Sequence, residues 1–247
     1  MLPPILYHYF PAPFPYFHAL ALQEKLHKLQ LLQRKTSSHK DVLLLLQHRP
    51  VYTAGRRQTE SSVQDERRRL TSIGADFVTT MRGGQITYHG PGQLVGYPLL
   101  DLSRTSPTMS IREYICRLQK MMELHLRQTH GIDTVPSEHT GVFIDPTTKI
   151  GSIGVQVRHR LTSHGFALNI TREPLSWFNQ VVACGLDDVK AGSVETATGG
   201  NPTVEGDIPG LVGAFGQIFE REMLRLNAVD HADIFSAISE LEPDAGQ

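Results

Sequence analysis

Residues 82–102 read RGGQITYHGPGQLVGYPLLDL, with five glycines and two prolines, and no regular helix can be carried through them. The segment must instead be short strands joined by tight turns: QITYHG and QLVGYPLLDL as strands, the G-G and P-G dipeptides as turns. Just upstream, DVLLLLQH holds five consecutive apolar residues, the length of a strand buried on both faces. Helical spacing governs other stretches. Residues 16–34 form one helical pattern, 59–74 a short helix closed by Gly74, and 110–130 an amphipathic helix. In the last of these Ile111, Ile115, Leu118 and Met122 mark the buried stripe, and Cys116 falls off it.

Further strands are expected in DFVTTM, TGVFID, KIGSIGVQVRHR and SHGFALNI, with a short helix at SWFNQVV. Residues 189–210 are rich in turn formers and read as a surface loop. Helices over 208–226 and 230–241 finish the chain. The N-terminal prolines at 3, 4, 11, 13 and 15 keep the first residues extended or turning. No repeat or dividing linker is visible, so residues 1–247 are expected to form one mixed α/β domain.

Composition removes several function classes. The formal net charge is −1, which gives no electrostatic case for a nucleic-acid partner. The basic cluster in DERRRL follows acidic residues at helical spacing and reads as a solvated helix face. Two cysteines, Cys116 and Cys184, are too few for a disulfide scaffold, which favours a reducing compartment. No apolar run approaches the ~20 residues of a membrane span. The first residues show neither a secretory signal nor a transit peptide, and the N-I-T triplet at 169–171 means little without a signal.

The glycine-rich stretch admits three readings: a phosphate cradle, structural turns, or a pocket wall where backbone approaches a ligand. The phosphate-loop pattern G-x-x-x-x-G-K-[ST] is absent. GPGQLVG misses the dinucleotide fingerprint by one residue and leads into a strand-like segment where a helix is required. No H-E-x-x-H occurs, and the twelve histidines show no ligand spacing with cysteine, so no metal is expected. S-S-H-K at 37–40 is isolated, and IGSIG misses the nucleophile elbow at Ile150. Turns and a pocket wall both stay open. In the second, Arg82, Gln85, Thr87 and His89 would line one face of a strand edge.

Two further residues carry chemistry. Cys184 in VVACGLDD is either an inert buried thiol or a nucleophile, and Lys149 in TTKIGSIGVQV is either a solvated strand end or its partner. A nearby ammonium stabilises a thiolate, so the pair could carry out acyl transfer. Spacing alone does not bring residues 149 and 184 together.

RGGQITYHGPGQ, KIGSIGVQVRH, HGFALNI and ACGL, in this order, resemble the lipoyl(octanoyl) transferase family over roughly residues 40–190. LLLLQHRPVYTAGRR resembles its eukaryotic branch. The resemblance implies a mixed sheet flanked by helices, like the catalytic domain of biotin and lipoate protein ligases. It also implies an acyltransferase that needs no cofactor. An octanoyl or lipoyl group would pass from acyl carrier protein to Cys184, with Lys149 as its partner, and then to a lysine of a lipoyl domain. The implied acceptors are the lipoyl domains of 2-oxoacid dehydrogenase complexes and the glycine cleavage H protein. The segments Arg82, Gly83, Gly84, Gln85, Ile86, Thr87, Tyr88 and His89, then Ser152, Ile153 and Gly154, then Gly165, Phe166 and Ala167, would enclose the acyl chain. His89 and His164 would orient it.

Ala183 stands where many relatives have proline, which would loosen the approach to the thiol. The mitochondrial matrix is the implied location, or the cytoplasm if the chain is bacterial. An ATP-dependent ligase, an acyl-thioester hydrolase and a non-catalytic acyl-binding module are the competing readings.

Overall fold

A computed structural model describes residues 2–181 and 189–242. In chain order the elements begin β1 (Ile5–Tyr9), α1 (Tyr16–Arg34), β2 (Asp41–Leu46), β3 (Val51–Ala54), α2 (Gln64–Ser72) and β4 (Asp76–Thr79). They continue with β5 (Thr87–His89), β6 (Gln93–Leu99), α3 (Ile111–His130), β7 (Val142–Asp145), β8 (Thr148–Arg158) and β9 (Leu161–Asn169). The last are α4 (Glu173–Phe178), β10 (Lys190–Ala191), α5 (Val194–Thr198), α6 (Val204–Phe219), β11 (Met223–Arg225) and α7 (Ala232–Ser239).

The main sheet has eight strands in the order β10-β8-β9-β6-β2-β1-β11, with β7 added beside β8. Its pairings are mixed: β1 runs parallel to β2 and β11, whereas β2/β6, β6/β9 and β8/β9 are antiparallel. Helices cover both faces, which is why β2 is apolar at successive positions rather than at alternate ones. Leu43 and Leu45 face α3 and α6, while Val42, Leu44 and Leu46 face α1 and α7. Each fully buried leucine contributes about 1.5–3 kcal/mol relative to exposure.

A second sheet, β4-β3-β5, packs Tyr52, Phe77, Ile86 and Tyr88 with Leu70 of α2 and Phe178 of α4 in a separate core. The DERRRL cluster lies on α2, where Arg68 and Arg69 pair with Asp65 and Glu66 one turn back. Among the described residues no helix is long and apolar enough to cross a membrane.

Several boundaries differ from the sequence reading. The buried face of α3 carries Tyr114, Leu118, Met121, Met122, His125 and Leu126, whereas Ile111 is 48% exposed. The stripe is rotated by about one residue because Tyr114 packs edge-on against Phe219 of α6 and sets how the helix lies. Cys116 is exposed, as expected of a residue off the stripe.

Within 189–210 there is a two-residue strand, then α5, and α6 already begins at Val204. Thr203 caps α6 by accepting from the Gly206 N–H, and Glu205 and Asp207 suit the positive end of the helix. Residues 208–226 are not one helix. Glu220 takes a left-handed conformation (φ 55°), and residues 223–225 pair with β1 as β11. The short helix near SWFNQVV starts earlier, at Glu173, and ends at Phe178.

Candidate active site

A cleft holding about 480 Å³ of empty space, part of it open to solvent, lies where the two sheets meet. It takes Tyr16 from α1, Thr87 and His89 from β5, and Val95 and Tyr97 from β6. Strand β8 adds Lys149, Ser152, Ile153 and Gly154, and β9 adds the run from His164 to Ala167. Its lining is mainly apolar with a few polar groups, as in small-ligand sites.

Strand alternation decides which residues of the glycine-rich stretch take part. Thr87 and His89 turn into the cavity, while Ile86 and Tyr88 turn away into the small-sheet core. The expectation that Ile86 and Tyr88 enclose the ligand is therefore corrected. Tyr88 stacks flat on Trp177 (centroids 5.3 Å apart, 4° between planes) and meets Phe178 edge-on. Its contribution is to anchor α4, the helix leading to the segment that contains Cys184.

Arg82 is buried and organises the glycine loop. Its guanidinium donates to the Thr53 carbonyl (2.5 Å) and hydroxyl (2.7 Å), to the Gln85 carbonyl (2.9 Å) and to the Gly83 carbonyl (2.9 Å). Gly84 adopts φ +92°, open to glycine at little cost, and lets the chain wrap round that guanidinium. The Gly83 N–H donates to the Val155 carbonyl and ties the loop to β8. Arg82 and Gly84 thus line the cavity, whereas Gly83 faces an outer groove and Gln85 contributes a carbonyl to the loop.

Two buried histidines, His89 and His164, line the inner wall, and a third, His48, packs against His89 behind it. His48 Nδ1 donates to the Phe14 carbonyl (2.7 Å), so its Nε2 accepts from the Tyr97 hydroxyl (2.7 Å). His89 Nδ1 donates to Gln93 Oε1 (2.7 Å), Gln93 Nε2 donates to Asn169 Oδ1, and Asn169 Nδ2 donates to the Gly192 carbonyl. This relay fixes the His89 tautomer and leaves Nε2 as the basic nitrogen.

Burial drives all three pKa values down: His48 to about 4, and His89 and His164 to about 3. The positive charge of Arg82 adds to the depression of His89 and His164. These imidazoles are therefore neutral at neutral pH, and the charge on the inner wall is that of the Arg82 guanidinium, bonded into the glycine loop. Burial likewise pushes the Tyr16 phenol up to about 12. His164 holds φ 56°, a strained conformation kept by its N–H donating to Gln23 Oε1 at 2.7 Å.

Lys149 stands at the mouth, half-buried, with Nζ 5.8 Å from the centre of the Phe143 ring. Its stem passes over Gly141, where φ is +138° and a Cβ would lie 2.6 Å from the Gly151 carbonyl oxygen, so position 141 must be bare. A second cavity of about 320 Å³ shares Thr87, Lys149 and Ser152 with the first. It is completed by Asn169, Phe178, Val189, Lys190 and Ala191. Cys184 lies outside the described residues, but the chain on both sides of it borders this second cavity. Phe178 precedes the segment, and β10 after it pairs alongside Thr148 and Lys149, with the Gly192 N–H donating to the Lys149 carbonyl (2.9 Å).

Ser152, Ile153, Gly154, Gly165, Phe166 and Ala167 all line the cavity. Sequence reasoning missed Tyr16, Val95 and Tyr97. Each lies on a regular element with an ordinary apolar pattern, so only the place where the sheets meet marks it. Gly141 was missed too, although the T-G-V turn was a visible signal.

Residues 15–216 match the lipoyl protein ligase A/B catalytic domain family. The chain is 37% identical over 200 residues to an octanoyltransferase of Koribacter versatilis, covering 80% of this chain and 79% of that one. It is 38% identical over 204 residues to the mitochondrial octanoyl-[acyl-carrier-protein]:protein N-octanoyltransferase of Danio rerio, covering 83% and 88%. In fold it is similar to lipoate-protein ligase A bound with ATP (TM-score 0.69, 17% identity, 98% of this chain and 94% of that one). It is likewise similar to a bipartite lipoate protein ligase of Thermoplasma acidophilum (TM-score 0.67, 16% identity, 98% and 92%). Sequence likeness over most of both chains, on a shared fold with helices flanking a mixed sheet, leads to one assignment: the chain belongs to the lipoyl protein ligase A/B catalytic domain family, among its octanoyltransferases, and is an acyltransferase.

Proposed function

We propose that this chain moves an octanoyl group from acyl carrier protein to a lysine of a lipoyl domain, through a thioester on Cys184, as one catalytic domain over residues 1–247. The observation that carries the reading is the meeting of three features: a largely apolar cavity with neutral histidines, Lys149 lining it, and the two flanks of the Cys184 segment bordering the adjoining cavity. Lys149 favours the thiolate of Cys184. The thiolate attacks the thioester carbonyl of the donor, the bond to the carrier-protein sulfur breaks, an octanoyl thioester forms on Cys184, and the carrier-protein sulfur leaves as a thiolate that takes a proton from solvent. The neutral amine of the acceptor lysine then attacks that carbonyl. An amide forms, the Cys184 thiolate leaves, and the amine proton passes to a base at the mouth. A thioester is already activated, so neither step needs a nucleotide.

The relatives' names support carrier-protein donation and mitochondrial use. Those from Danio rerio, Drosophila melanogaster and Arabidopsis thaliana are mitochondrial, and we read the matrix as the location and the 2-oxoacid dehydrogenase and glycine cleavage H lipoyl domains as acceptors.

The test is intact-protein mass after mixing the chain with octanoyl-carrier protein. An octanoyl mass gain that hydroxylamine removes, that a lipoyl domain discharges and that is lost in Cys184→Ser is expected. No adduct, an adduct on Cys116, or ATP-dependent acylation that survives Cys184→Ser would overturn the reading.

A further inference from the structure

Where α3 packs on α6, two imidazoles and one carboxylate converge, and none of the three lines either cavity at the proposed active site. His125 Nε2 lies 2.7 Å from Asp207 Oδ1 and His130 Nε2 lies 2.5 Å from the same oxygen, with ligand-type atoms of all three residues within 4.8 Å of one another. It is the only grouping of three or more such side chains among the described residues. His125 and Asp207 are fully buried, while the His130 side chain keeps 14% of its exposure and leaves one side open to solvent. The fold makes room for this approach: at Gly210 of α6 a Cβ would lie 3.1 Å from His125 Nδ1 and 2.6 Å from Thr129 Oγ1.

We propose that His125, His130 and Asp207 form a site for a divalent transition-metal ion of the Zn(II) class, pinning α3 to α6. Two imidazole nitrogens, one carboxylate oxygen and a water from the open side make the four-coordinate donor set such ions prefer. The Thr129 hydroxyl, 3.1 Å from His125 Nδ1, supplies the outer contact that ligating histidines require. It either donates to Nδ1 or accepts from Nδ1–H. When it accepts, the His125 proton sits on Nδ1 and the Nε2 lone pair turns toward the ion. In the ion-free state both Nε2–H groups donate to Asp207. A tetrahedral ion about 2.0–2.1 Å from each ligand spreads those contacts to about 3.3 Å. Movement of the His130 ring, the partly exposed member of the three, supplies the change.

The purified full-length chain, stripped with a chelator, is titrated with Co(II) and then Zn(II), beside His130→Gln and Asp207→Asn. Glutamine keeps an N–H toward Asp207 but offers no ring nitrogen, so it separates a metal ligand from a hydrogen-bonded clasp. The expected result is one equivalent of Co(II) giving the visible bands of a tetrahedral ion in the wild type, displaced by Zn(II) and absent from both variants. Zn(II) at a hundredfold excess over its Kd should also raise Tm by about 5–10 °C in the wild type alone. Absence of the bands and of the Tm rise would reduce the cluster to a clasp. Bands and Tm shift equal in wild type and His130→Gln would move the metal elsewhere. Either outcome overturns the proposal.

Discussion

Two buried histidine clusters sit in this molecule under opposite fields. At the cavity, His89 and His164 share a wall with the Arg82 guanidinium, His48 packs behind His89, and burial and that cation together hold His89 and His164 neutral. Between α3 and α6, His125 and His130 both face a carboxylate, Asp207. The same side chain thus serves two ends. Beside a cation in a dry wall it becomes an uncharged polar lining. Beside an anion on two packed helices it becomes a fastening with the donor set of a metal site. The neighbour's charge, rather than the residue type, decides which.

The sharpest way to break this contrast is Lys149→Ala. If the cavity cluster serves chemistry, octanoyl loading of Cys184 should slow by about 10²–10⁴-fold, measured by rapid-quench mass spectrometry. A loading rate within threefold of wild type, with a lowered Tm, would make the cavity cluster as structural as the helix clasp.

Acid comes next. The folded pKa values of His48, His89 and His164 lie below the unfolded value near 6.5, so the unfolded chain binds more protons as pH falls. Stability from these groups is complete above pH 6.5 and is lost as pH drops from there toward 3–4. Each histidine should cost about 1.5 kcal/mol between pH 6.5 and 5, seen as a falling urea midpoint, and His164→Gln should flatten the slope. A midpoint that does not move between these pH values would refute the reading of neutral histidines.

At the clasp, Asp207→Asn should cost about 1–3 kcal/mol of unfolding free energy in the presence of chelator, because both imidazole N–H groups exchange a charged carboxylate acceptor for a weaker neutral amide oxygen. No change in the urea midpoint would mean that the pairs there carry no net stability. The smallest effect is expected for Thr129→Val, about 0.5–1.5 kcal/mol, from losing the hydroxyl contact to His125 Nδ1. A loss as large as that of Asp207→Asn would shift the weight of the fastening from the carboxylate to the hydroxyl.

Much of the architecture was readable from local pattern. The bounds of α1 at 16–34, the buried strand in DVLLLL and the strands on either side of Gly83 and Gly84 all follow from spacing and turn residues. The start of α6 was not readable, because Gly206, Pro209 and Gly210 resemble a loop. The helix forms there through its Thr203 cap, its acidic first turn and its packing on α3. The cavity was half legible. Strand period identified Thr87 and His89 as sharing a face, yet Ile86 and Tyr88 were grouped with them until the small sheet supplied its own core on the other side.

By itself the sequence determined the kinds of element, the glycine loop that no helix could use, and, through a family likeness, the residue types of an acyl-transfer site. Tertiary structure alone decided which histidines are neutral, why Gly141 is bare beneath Lys149, and how His125, His130 and Asp207 come together. Backbone hydrogen bonding makes period and turn chemistry a matter of neighbours a few residues apart. The field at a side chain and the room around it come from groups that packing brings in from far along the chain, as α6 brings Asp207 to His125 across 82 residues.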